Sequence, residues 1–288
     1  MSKSIILTFD VEEWFHTTFM YEYLTSRDIA QSRIYESLQT CLDLLNEHDI
    51  AATFFVLAEL AEKNPKIINM ITDANLRHEI ASHSYSHDLL YEKKDSQIKK
   101  NIYNSKKILE DLSGKSVKGF RAPYFSINDH AIECLVNAGY KYDSSLHDFR
   151  LNGQYGTLTL PMKATDSPGI FTYKTLTEVT IPVKRYFNLL TLPFGGGGYY
   201  RLYPLVLQEY WIRSFLKTSD YFMMYLHPWE FDSNQPYITK APFLKRFRHY
   251  VGIKSHKQKT DSLIRNLKSS NFKFKTLSEY LSNKKLTK

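Results

Sequence analysis

The chain has 288 residues, 43% hydrophobic and 15% aromatic, with a net charge of +8. That length and apolar content suit one large α/β domain with a sizeable core, or two small domains. Two cysteines in apolar, helix-like stretches, Cys41 (CLDLLNEH) and Cys134 (AIECLVNA), exclude a disulfide framework and a thiolate metal site and read as reduced core residues. The charge is uneven: residues 240–288 hold 14 Lys and Arg against 2 acids. No base-reading motif accompanies them, so nucleic acid is not expected as a partner. The plain reading is a solvated helical face; the functional one is peripheral contact with an anionic membrane surface. MSKSIILTFDVEEW lacks a signal-peptide core and no apolar run reaches membrane-spanning length. The expectation is a soluble, cytoplasmic protein, with the inner membrane face as its peripheral contact.

SIILTFD is the first strand, a short apolar run ending in a carboxylate. A helix is predicted from about Ala30 to Glu47, with Ile34, Leu38, Cys41, Leu42 and Leu45 on one face. ATFFVL is a second strand, followed by a helix over 58–72 interrupted at Pro65. HEIAS is a third strand. Residues 95–112 form an amphipathic helix with Ile98, Ile102, Ile108 and Leu112 on one side. GFRAP is a fourth strand; Ser126, three residues before Asp129, opens the next helix in capping-box style, and Gly139 closes it. KYDSS is a fifth strand. Residues 147–200 are loop-rich, with one alternating run, TEVTIPV, and end in PFGGGGYY. A helix over 203–217, the strand YFMMYLH, a helix near 258–269, the strand FKFKTL and a last helix complete the chain.

Strands alternating with long helices predict parallel βαβ units. No linker or repeat divides the chain, so residues 1–288 are expected to form one domain with the basic segment 240–288 packed onto it. Asp10, His83, Arg121, Asp143 and His227 all fall at or just past the C-terminal ends of predicted strands, the catalytic rim of a parallel barrel.

In HEIASHSYSH, His83 and His87 are spaced i, i+4 and on a helical turn could share one cation. A third ligand would come from TFDVEE, which offers Asp10, Glu12 and Glu13. Arg121, in RAPY, would aim its guanidinium at a carboxylate, with Asp143 of YDSS the natural partner. LHPWE delivers His227 as a general acid, stiffened by Pro228 and walled by Trp229. FGGGG permits close backbone approach, but the Lys-Ser/Thr of a phosphate loop is missing, so it reads as a loop over a cleft.

TFD, HSYSH, RAPY and LHPWE, in this order and over nearly the whole chain, resemble the polysaccharide deacetylases of the NodB-homology type (carbohydrate esterase family 4), in the bacterial branch whose first motif reads DVE. The resemblance implies a distorted (β/α)7 barrel with one divalent metal, most often zinc, and hydrolysis of N- or O-acetyl groups on sugars. It carries metal binding to His83 and His87, catalytic base to Asp10, the orienting arginine to Arg121, the general acid to His227, and an ancillary carboxylate to Asp143. The family's second metal aspartate is Val11 here, so the third ligand is Glu12, Asp10 or nothing. A backbone N–H near Tyr124 would face the oxyanion, and Trp229, Tyr199, Tyr200 and Arg201 would lie near the sugar. The expected substrate is an acetamido sugar of a bacterial surface polysaccharide or its precursor, as a glycan, lipid-linked glycan or nucleotide-sugar. The alternatives are a metal-independent amidohydrolase, an inactive sugar-binding barrel and a basic interaction protein.

Overall fold

The run SIILTFDV carries three apolar residues, Ile5, Ile6 and Leu7, before Thr8, and in the computed structural model it forms β1 (Ser4–Val11), buried along its whole length. The structure describes residues 3–29, 31–147, 155–186 and 190–284. Besides β1 it contains β2 (Thr53–Val56), β3 (Glu79–Ser82), β4 (Gly119–Phe120), β5 (Tyr142–Asp143), β6 (Lys163–Ala164), β7 (Ile170–Tyr173), β8 (Leu176–Val179), β9 (Val183–Tyr186), β10 (Leu190–Pro193), β11 (Tyr221–Leu226) and β12 (Lys273–Phe274). Seven of these run parallel in the order β11-β1-β2-β3-β4-β5-β8, with β7 and β6 added antiparallel at the β8 edge. Helices cover the outside, giving the expected distorted (β/α)7 barrel. The hairpin β7–β8 was not foreseen; TEVTIPV supplied only its second strand.

Strand alternation sorts the core. Leu7, Phe9, Val11, Phe54, Val56 and Phe120 face the helices, while Ile6, Phe55, Ala81, Tyr142, Val179 and Met223 fill the interior. Thr8 and Asp10 therefore share the inner face with Ile6. The register aligns Val11, Val56, Ser82, Phe120, Asp143 and Glu178 on one level at the C-terminal rim. Phe9 pairs with Leu226, so His227 stands level with Asp10.

Between β8 and β11 the ladder is interrupted, and the glycine run fills the gap. Gly196 bridges Tyr225, whose N–H donates to Gly195 O at 2.9 Å. A Cβ on Gly196 would lie 1.8 Å from the Tyr225 carbonyl oxygen. Gly195 and Gly196 thus close the wall of the barrel, while Gly197 and Gly198 line the cleft over which a loop was expected.

Several boundaries shift for local reasons. The first long helix spans Ile34–Glu47; its expected start at Ala30 lies outside the described residues, as do parts of the 147–200 segment. Asn128, not Ser126, caps the helix Asp129–Asn137, accepting from Ala131 N; the Ser126 hydroxyl instead donates to Pro123 O and accepts from Leu90 N. The expected 203–217 helix starts after Pro204 and spans Leu205–Phe215, and a separate short helix, Gly197–Leu202, precedes it where loop was expected. Cys41 and Cys134 are free and buried, as expected.

Candidate metal centre and catalytic cleft

At the rim, β1 ends and Glu12 turns inward, 3% exposed. Its Oε2 lies 2.5 Å from His87 Nε2, and its Oε1 accepts from Trp229 Nε1 at 3.1 Å. His83 follows β3 directly, its Nδ1 set 2.9 Å from Arg121 O. A carbonyl can only accept, so Nδ1 carries the proton and Nε2 keeps its lone pair. His83 and His87 do not sit on a helical turn. A bend after β3, with Ser84 at φ +71°, brings their rings to 5.5 Å. Ligand atoms of Glu12, His83 and His87 all lie within 4.8 Å of one another.

Two observations show that this trio fits a divalent cation. Glu12 Oε2 is buried with the His87 ring nitrogen 2.5 Å away, and His87 Nδ1 is buried without a hydrogen-bond partner, a costly state for a polar group. The charge states also suit ligation. Burial pushes the His83 pKa down to about 4, leaving a neutral imidazole at pH 7. For Glu12 burial works upward, but His87 outweighs it, aided by His227 and His83, and holds the carboxyl well below the usual range. One carboxylate with two imidazoles is a donor set suited to zinc and similar ions.

Arg121 is fully buried inside the barrel, its guanidinium 4.1 Å from the Phe55 ring centroid. Its Nη1 donates to Asp10 Oδ1 at 2.7 Å and to Thr8 Oγ1 at 2.9 Å, while Nε donates to Ser144 O. The expected Arg121–Asp143 pair is thus replaced by Arg121–Asp10. Strand alternation explains the miss: Tyr142 and Ser144 face the interior, so Asp143 between them points the other way. There it lies opposite Glu178 in the β5–β8 register and accepts from Ser145 Oγ. Burial raises the pKa of both carboxyls; Asp143 pushes that of Glu178 further up, while a hydrogen bond from Glu178 works to lower that of Asp143, so the proton of the pair belongs with Glu178. Asp143 therefore acts from behind the rim: Ser145 Oγ also accepts from Ala122 N, which fixes the backbone next to Arg121.

His227 follows β11 as expected. Its Nε2 is 4.0 Å from Asp10 Oδ2 and 3.8 Å from Glu12 Oε1. Its Nδ1 is paired with Glu230 Oε2 at 3.1 Å, and the same oxygen accepts the His227 backbone N–H. Burial alone would lower the His227 pKa; the Glu230 carboxylate overcomes it, helped by Glu12 and Asp10, and raises it to about 9. Glu230 was not assigned from sequence, although its place three residues after His227, across Pro228, is a capping-box signal. Arg201 holds the other Glu230 oxygen through Nε at 2.8 Å and donates through Nη1 to His249 O and Val251 O. It also lines the cleft, where a contact with sugar was expected, so the internal role is played from the cleft wall. Trp229 stacks between His227 and His249, with ring centroids at 5.5 and 4.8 Å.

The cleft above has a volume of about 540 Å³ and is lined by Asp10, Glu12, His83, His87, Tyr124, Tyr199, Tyr225, His227 and Trp229 among others. Tyr199 is where the sequence put it. Tyr200 is not: it is fully buried, its hydroxyl donating to Thr260 Oγ1 at 3.3 Å. Both stand on the helix Gly197–Leu202, where neighbours project about 100° apart, so only one can face the cleft. Tyr124 adopts φ +54° beside His87, with ring centroids at 4.3 Å. His16, also overlooked, stacks on His87 at 5.4 Å; burial, then His87, depresses its pKa to about 3.

Residues 1–142 match the family model described as polysaccharide deacetylase, and residues 144–282 match a domain of unknown function, DUF3473. Over 99 residues the chain is 38% identical to a peptidoglycan-N-acetylglucosamine deacetylase of Bacillus cereus, covering 34% of this chain and 35% of that protein. The chain thus spans about a third of that relative's length. It is 27% identical over 231 residues to a peptidoglycan deacetylase of Helicobacter pylori, covering 74% of this chain and 78% of that one. Among solved structures, a family 4 acetyl xylan esterase from Clostridium thermocellum in complex with a cobalt ion superposes with a TM-score of 0.53 at 16% identity, over 97% of this chain and 91% of that one. That last likeness is one of fold.

Proposed function

We infer, from the premise that the chain belongs to the polysaccharide deacetylase family of the NodB-homology type, that it hydrolyses the N-acetyl group of an acetamido sugar in a bacterial surface polysaccharide or its precursor. One observation carries the reading. Asp10 and His227, two proton-transfer groups, stand 4.0 Å apart in the cleft that holds the Glu12, His83 and His87 ligand atoms. Two relatives named as peptidoglycan deacetylases support a bacterial glycan as substrate.

A divalent cation on Glu12, His83 and His87, for which we propose zinc, supplies Lewis acidity toward the acetyl carbonyl and acidifies a water. Asp10 takes the proton of the attacking water. Its Oδ1 is held by Arg121, which leaves Oδ2 turned toward His227 and the cleft. As the C–N bond breaks, His227 gives its Nε2 proton to the departing amine, a step an amide requires because an amine anion is a very poor leaving group. Glu230 keeps the ring protonated and oriented, and Arg201 keeps Glu230 ionised and in place. Acetate and a free amino sugar leave. Both family-model regions contribute to one cleft, and we propose that they work as a single catalytic unit.

The test is acetate release by purified, metal-loaded protein across a panel of acetamido sugars. Release from at least one glycan, abolished by chelator and restored by zinc, is the expected result. Release that survives complete removal of metal would refute the reading.

A further inference from the structure

The helix Phe243–Tyr250 is turned inside out for an element facing water. His249 is buried against Gln235, while Phe243 is 69%, Leu244 77% and Phe247 47% exposed. Phe243 and Phe247 stack one turn apart, with ring centroids at 6.3 Å. Leu202 is 48% exposed, and Leu202 and Phe247 both line the mouth of the catalytic cleft. A contiguous apolar ridge of this kind marks a contact surface. Basic side chains adjoin it along the chain: Lys240 just before the helix and Arg248 within it are exposed, as are Lys254 and Lys257 on the helix Ile253–Ser269 that follows. Lys259, by contrast, is not among them, since its Nζ donates inward to Tyr200 O and Tyr203 O.

Aromatic and aliphatic side chains adjoined by Lys and Arg match the boundary of an anionic bilayer, where the rings meet acyl chains and the cations meet phosphates. A second copy of the chain would bring the same positive charge to this face and be repelled. We propose that the helix Phe243–Tyr250, with Leu202, docks on the surface of a membrane rich in anionic lipid and holds the mouth of the cleft against the headgroups. In consequence, a glycan carried on a lipid could reach the site with its anchor still in the bilayer. That consequence rests on the deacetylase reading; the docking does not.

The experiment is co-sedimentation of the full chain with vesicles of phosphatidylglycerol and phosphatidylcholine, against vesicles of phosphatidylcholine alone, at low and high salt. Binding is expected to the anionic vesicles, at least about ten-fold tighter than to neutral ones and weakened by salt. Phe243→Ser combined with Leu244→Ser should lower binding about ten-fold or more, with the thermal melt and the hydrolysis of a soluble acetamido sugar unchanged. Lys254→Glu with Lys257→Glu should weaken binding and flatten its salt dependence. Equal binding to both vesicle types, no binding, or binding indifferent to Phe243→Ser/Leu244→Ser would overturn the proposal. So would a dimer in sedimentation velocity that the same double variant dissolves, which would give the ridge to a second copy. Vesicle binding needs no turnover, so its failure and that of the deacetylase reading are separable.

Discussion

Residues before and after position 143 meet the cleft in different ways. In the first half the chief functional side chains leave the ends of parallel strands, Asp10 and Glu12 at β1, His83 after β3 and Arg121 after β4, and the bend after β3 brings in His87. Their positions follow from register, and short motifs betray them. In the second half one strand, β11, delivers His227, and the rest is scaffolding: the glycine segment that closes the wall, the Arg201–Glu230 pair behind the acid, and the helix at the mouth of the cleft. Strand ends supply the chemistry, and the later half sets its charge state and its access to substrate.

The largest expected effects test that division at its centre. Asp10→Asn and His227→Ala should each lower kcat ~10²–10⁴-fold in an acetate-release assay. Asp10→Ala should also lower stability by ~3–5 kcal/mol, because it strands a fully buried Arg121, whereas His227→Ala leaves no such orphan. If His227→Ala keeps more than a tenth of the wild-type rate, the acid is elsewhere.

Next comes the wall. Gly196→Ala must displace the backbone at Tyr225, and a loss of ~1–3 kcal/mol or more is expected in chemical denaturation. Gly114→Ala, at φ +65° in open space, should cost ~1 kcal/mol or less beyond its backbone strain. Equal effects would mean that the glycine run is only a flexible cover.

Glu230→Gln sharpens the scaffold side. With the His227 pKa raised to about 9, kcat/KM should hold through neutral pH and fall as pH rises past that value. Removing the carboxylate should move this alkaline limb to lower pH. The same pair is linked to stability: a raised histidine pKa adds stability that is complete below pH 6.5 and disappears as pH climbs through about 9. Thermal melts across that range should decline in the wild type and flatten in Glu230→Gln.

The smallest effect separates two adjacent tyrosines. Tyr200→Phe should cost ~1 kcal/mol through its lost bond to Thr260 and leave KM unchanged. Tyr199→Phe should leave the melt unchanged and raise KM.

The legible part of the molecule was the part written in short range. β1, with a carboxylate ending an apolar run, and β11, with a histidine doing the same, disclosed both the barrel and its rim. The pair His83 and His87 was read through the wrong local geometry, a helical turn in place of a bend at Ser84, yet both rings still converge because any tight exit from β3 ends on the rim. The partner of Arg121 was beyond reach. It depends on which face of β1 and β5 points inward, and two-residue strands such as β5 have no alternation to read. The four glycines could equally have served a loop or a wall; only the approach of Tyr225 decides. Tyr200 looked like a cleft residue because it adjoins Tyr199, and one step along the helix turns it into the core, while Arg201 beyond it lines the cleft as expected.

The central claim is that Glu12, two residues past Asp10, replaces the family's missing second aspartate as the third metal ligand. Isothermal titration of zinc into metal-stripped wild type, Glu12→Gln and Asp10→Asn tests it directly. The account expects one cation per chain in the wild type, binding weakened at least about ten-fold in Glu12→Gln, and binding retained in Asp10→Asn. Retention in Glu12→Gln with loss in Asp10→Asn would contradict it.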